Sequence, residues 1–95
     1  MNHYLIKYRP PRPTFNIDAT DEESNIIGQH FSYLQDLLAK DILVMAGRAD
    51  DAHLGIAIIK AESFETAEHI MNNDPAVKNN IFTGELHLFR LALMG

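Results

Sequence analysis

The stretch from Thr20 to Lys40 constrains this chain more than any other part of it. Thr20-Asp21-Glu22-Glu23 has the spacing of a capping box, and its acidic residues complement the positive end of a helix dipole. A helix should start there. Ile26, Ile27, His30, Phe31, Tyr33, Leu34, Leu37 and Leu38 then recur every three or four positions, which predicts an apolar face continuing to about Ala39 or Lys40. A helix with one apolar face must lie on another layer.

The flanking segments supply that layer. His3 to Arg9 is rich in tyrosine, leucine and isoleucine, and Pro10-Pro11-Arg12-Pro13 ends it because proline fixes φ and lacks an N–H. This reads as a first strand, followed by a loop to Thr20. Asp41 to Arg48 and Leu54 to Ala61 hold short apolar runs, with the polar Arg48 to His53 stretch between them, and together read as a hairpin. Ser63 is the expected N-cap of a second helix bearing Phe64, Ala67, Ile70 and Met71, which should break near Asn72-Asn73-Asp74-Pro75. A last strand runs roughly from Phe82 to Leu93.

Strand, helix, strand, strand, helix, strand is the ferredoxin-like α+β order: a four-stranded antiparallel sheet with both helices on one face. At 95 residues and 10.7 kDa the chain reads as one domain spanning residues 1–95. Both sheet faces read as apolar: Ile56 and Ile58 alternate with Ala57 and Ile59, as Leu86 and Leu88 do with Phe89 and Leu91. Two helices cover only one face, so the other is expected to be sealed by a second copy in a homodimer.

Composition narrows the function. Without cysteine there is no disulfide scaffold, thiol nucleophile or zinc-cysteine site. A formal charge of −5, with no lysine or arginine cluster, argues against a nucleic-acid partner. The apolar runs are far too short for a membrane span, and the first residues lack the pattern of a signal peptide; a cytoplasmic setting is the expectation.

His30 lies on the apolar stripe beside Ile27, Leu34 and Leu37 and should point inward. The ordinary reading is a core histidine satisfied by one hydrogen bond; the functional reading is a general acid or base. Asp74 has the ordinary reading of a cap for the turn Pro75-Ala76-Val77. Their positions connect them. His30 falls ten residues past one cap and Asp74 eleven past the other, so each sits roughly 15–16 Å along its helix. Parallel helices roughly 8–10 Å apart would let the carboxylate fix the imidazole tautomer. Arg48, at the end of the second strand, reads first as a solvated arginine paired with Asp50 or Asp51 and second as an anion-binding group. Asp50, Asp51 and His53 make a solvated turn rather than a metal site, and no metal is expected. The Pro10 to Pro13 run reads as a loop, with closure over a pocket or binding to a partner domain as alternatives.

Gln29-His30-x-x-Tyr33-Leu34, Ala46-Gly47, Ala61-Glu62-Ser63-Phe64-Glu65-x-Ala67 and Asp74-Pro75-Ala76-Val77 occur in an order and spacing that resembles the YciI-like (YCII-related) family, from His3 to about Leu91. The resemblance implies a ferredoxin-like fold assembled as a dimeric α/β barrel. It also implies an active site around a histidine of the first helix and the aspartate of the Asp-Pro motif, here His30 and Asp74. A dehydrochlorinase is the family member whose chemistry suggests His-Asp acid-base work. Two departures stand out: Arg48 occupies a position where many relatives have proline, and the Pro10 to Thr20 loop is long.

Two classes of function follow. In the first, His30 moves a proton on a small anionic or phenol-like molecule and Asp74 orients it, as in a lyase or isomerase that needs no metal or organic cofactor. In the second, the same pocket only binds a metabolite, as a ligand-binding or regulatory domain. A purely structural dimerisation module is a third reading.

Overall fold

The computed structural model describes residues Met1–Gly95. Its elements are β1 (Asn2–Arg9), α1 (Phe15–Asp18), α2 (Asp21–Ala39), β2 (Leu43–Arg48), β3 (Gly55–Ala61), α3 (Phe64–Asn72), α4 (Pro75–Lys78) and β4 (Thr83–Phe89). The four strands form one antiparallel sheet in the order β2-β3-β1-β4. With its two long helices, this is the expected ferredoxin-like α+β fold.

Local chemistry sets the helix ends. Thr20 accepts from the Glu23 N–H while the Glu23 carboxylate accepts from the Thr20 N–H, so the capping box is complete. Asp41, at φ 60°, ends the first long helix in the left-handed region, which delays β2 to Leu43 rather than Asp41. Ser63 caps α3 by accepting from the Thr66 N–H.

The core lies between the sheet and α2 and α3. Tyr4, Ile6 and Tyr8 of β1 alternate inward and meet Ala57, Ile59 and Ala61 of β3, Leu34 and Leu37 of α2, and Ala67 and Met71 of α3. Burying each large side chain contributes roughly 1.5–3 kcal/mol, so the inward rows hold the layers together. On the other face Leu5, Ile56 and Ile58 form an apolar centre by register, flanked by Lys7, Glu85 and His87. That face is less uniformly apolar than the alternation implied, because β4 contributes Glu85 and His87 to it.

Two elements differ from expectation. The last strand stops at Phe89 instead of reaching Leu93: Phe89 pairs with His3, and β1 has almost no residues beyond His3 to receive more ladder bonds. The loop after β1 contains the helical turn α1, held down by Arg12. The guanidinium donates to both carboxylate oxygens of Glu23 at 2.8 and 2.9 Å and to Asp18 at 2.8 Å, while Phe15 is buried beneath.

Candidate active site

Asp74 is not on α3, where counting from Ser63 put it, but at the N-cap of α4, beyond the Asn73 C-cap. Pro75 at the first helical position has a preset φ, and the Asp74 side chain accepts from the Ala76 N–H at 2.9 Å. The cap expected from Asp74-Pro75 therefore forms, and the same carboxylate does more. His30 Nδ1 stands 2.8 Å from its Oδ1 and 2.7 Å from its Oδ2, across 44 residues of chain. Asp74 is 0% exposed, which a carboxylate tolerates only when its lone pairs are occupied.

A third donor comes from the sheet. The Tyr8 hydroxyl donates to Asp74 Oδ2 at 3.3 Å. Burial, with the Asp74 charge adding to it, holds the Tyr8 phenol well above its ordinary range, so it remains a neutral donor. Burial and the same carboxylate also push Tyr33 up; its hydroxyl donates to the Ile70 carbonyl at 2.7 Å and ties α2 to α3.

A carboxylate receiving the Ala76 N–H and the Tyr8 hydroxyl is set to accept a proton-bearing Nδ1 as well. In that tautomer Nε2 is an acceptor, and no protein group bonds to it. The ring is also fixed laterally. Tyr8 and Phe82 meet it edge-on with centroids at 5.2 and 5.4 Å, and Phe15 stands behind Phe82 at 5.9 Å.

His30 opens onto a cavity of about 810 Å³. One wall is α2, through Ile27, Phe31 and Leu34; the opposite wall is β2 from Val44 to Arg48; Gly55 lies between. Phe31 and Leu38, assigned to the helix's buried stripe by periodicity, are 61% and 57% exposed because they line this opening. Arg48 also lines the cavity. It does not pair with Asp50 or Asp51 as the ordinary reading expected; its Nη1 donates to the carbonyls of Ala49 and Asp50 at 3.3 and 3.1 Å. Asp51 pairs with His53 instead, and that contact lowers the carboxyl below its ordinary value.

Sequence reasoning missed Tyr8, Phe82 and Phe15. Tyr8 had a signal: it is the last inward position of β1, and a buried tyrosine hydroxyl requires a partner. Phe82 precedes β4 and Phe15 opens the four-residue α1, places where periodicity says nothing of direction.

A ferredoxin-like α+β protein with a cavity-lining histidine held by a fully buried aspartate is the class that fold and site define. The sequence matches the YCII-related domain model over residues 1–86, and the chain belongs to that family. Its structure is similar to that of 5-chloro-2-hydroxyhydroquinone dehydrochlorinase from Burkholderia phenoliruptrix, solved in complex with 2,5-dihydroxybenzoquinone. The TM-score is 0.67 at 21% identity, covering 94% of this chain and 95% of that one. No curated protein sequence matches significantly. No helix is long and apolar enough to cross a membrane.

Proposed function

We propose that the protein is a small-molecule enzyme of the lyase or isomerase class in which His30 and Asp74 act as an acid-base pair. The observation that carries this reading is the imidazole held at 2.7 and 2.8 Å by a fully buried carboxylate, on a residue lining a large cavity. His30 Nε2 takes a proton from a carbon acid. The released electron pair either forms a double bond and expels an anionic leaving group, or receives the proton back at another carbon. Asp74 stabilises the imidazolium formed in between, and Tyr8 and Ala76 keep the carboxylate from turning away. Proton transfer of this kind uses only side chains present here. Similarity of fold to a dehydrochlorinase accords with an elimination.

We further propose a homodimer through the open sheet face, where the apolar centre of Leu5, Ile56 and Ile58 would be covered by its own copy.

The test is a turnover screen of substituted phenols, haloacids and their enols with the wild type, His30→Gln and His30→Ala. Loss of turnover by at least about 100-fold, with ligand affinity retained, supports the acid-base role. A wild type that binds ligands with no His30-dependent turnover is a binding domain, and the proposal fails.

A further inference from the structure

We infer that the cavity takes an organic acid: one carboxylate at Arg48, joined by an apolar body about one ring long to the atom that meets His30. This assigns a substrate class to the site just proposed and rests on that reading for the second contact only.

Charge distribution comes first. The chain has 13 acidic against 8 basic residues, yet no aspartate or glutamate lines the cavity. Asp74, the carboxylate that holds His30 from behind, is fully buried and occupied by three donors. Arg48 is the one permanently charged group on the lining. It makes no ion pair, and its two hydrogen bonds, both to backbone carbonyls, use Nη1 alone. Its Nε–H and Nη2 groups have no protein partner, and they form the edge that receives a carboxylate through two parallel bonds. A doubly charged phosphate would leave one charge without a counter-ion against apolar walls, so the cavity suits a monoanion.

Strand register sets the length. Arg48 pairs with Gly55 and Gly55 pairs with Tyr8, so the three lie in one row across the helix-side face of the sheet. Two strand spacings put Arg48 roughly 10 Å from Tyr8, the residue that holds the Asp74–His30 pair. Gly55 leaves the floor between them bare: a Cβ there would stand 3.6 Å from Tyr8 Cβ and from the Gly47 carbonyl oxygen. That is ordinary contact distance and no φ constraint is involved, so the glycine opens space rather than a turn. Ile27, Phe31 and Leu34 flank the floor and require an apolar body. A two-carbon acid would reach one end only.

The experiment titrates 3-phenylpropanoate and its neutral amide, 3-phenylpropanamide, into the wild type, Arg48→Gln, Gly55→Val and His30→Gln, following backbone amide NMR shifts. The wild type is expected to bind the acid at least tenfold more tightly than the amide. Arg48→Gln, a change at an exposed side chain, should lose roughly 10- to 100-fold in affinity for the acid and little for the amide, as befits a charge-assisted pair. Gly55→Val should weaken both, and His30→Gln should keep the preference for the acid. Equal binding of acid and amide, no shifts at millimolar acid, or an unchanged acid affinity in Arg48→Gln overturns the inference. The two proposals fail separately. Acid preference lost in Arg48→Gln, without any His30-dependent turnover, leaves this inference and removes the acid-base reading. Turnover lost in His30→Gln, with acid preference intact in Arg48→Gln, does the reverse.

Discussion

Replacing Asp74 by asparagine tests the centre of the site while leaving its shape almost unchanged. Three donors now converge on the carboxylate: His30 Nδ1, the Tyr8 hydroxyl and the Ala76 N–H. An amide offers one acceptor oxygen. With that oxygen on Ala76, the NH2 group faces the tyrosine and the imidazole, and Nδ1 satisfies it only by moving its proton to Nε2. A hydrogen bond to a charged group is worth ~1.5–3 kcal/mol and a neutral one ~0.5–1.5 kcal/mol, so turning the tyrosine and imidazole contacts into neutral bonds of reversed direction costs about 2 kcal/mol. For a domain of this size that lowers Tm by ~8–16 °C. Asp36→Asn is the control, because Asp36 pairs with Lys40 on the surface, both more than half exposed, and such a pair contributes no more than about 0.5 kcal/mol. Calorimetry measures the stability, and 15N-detected NMR of the imidazole ring reads which nitrogen holds the proton. If Asp74→Asn melts with the Asp36→Asn control and the ring proton stays on Nδ1, Asp74 does not hold the imidazole in one tautomer.

Three other outcomes follow from separate parts of the molecule. The Arg12 guanidinium holds the Glu23 carboxyl at about 2, below its ordinary 4.5, so this pair's stabilisation is complete above pH 4.5 and is lost as pH falls toward 2. Urea midpoints of Glu23→Gln should therefore lie below wild type at pH 7 and converge with it near pH 2; a constant difference would contradict the assignment. Gly84→Val should destabilise by about 1–3 kcal/mol, because a Cβ there would stand 2.9 Å from Met71 Sδ and 3.1 Å from its Cγ, and a stable variant in urea titration would show that the Met71 side chain swings aside freely. Leu5→Glu puts a charge at the centre of the open sheet face, and light scattering should find its mass at 10.7 kDa while the wild type runs at twice that value; equal masses for the two would refute the proposed interface.

The His30–Asp74 contact shows how a common structural device becomes a candidate catalytic one. Asp74 caps α4 whatever else it does, and a cap alone has no need of complete burial or of a second and third donor. The additional donors come from β1 and α2, elements that meet the α3–α4 connection only because both long helices lie on the same side of the sheet.

What sequence alone determined is the part governed by near neighbours. The capping box at Thr20 and the 3.6-residue period set α2, Ser63 set the start of α3, the proline run ended β1, and the element order defined the ferredoxin-like topology, because each depends on residues within a few positions of one another. His30 and Asp74 were legible as candidates on the same grounds, through helix phase and an Asp-Pro cap. Tertiary structure decided the rest. The contact between them spans 44 residues, Tyr8 and Phe82 enter the site from β1 and from the residue before β4, and Phe31 and Leu38 face an opening rather than the core. The end of β4 was set by where β1 runs out of partners. Such features depend on what a residue meets across space, and periodicity gives a side chain its direction without saying what waits there.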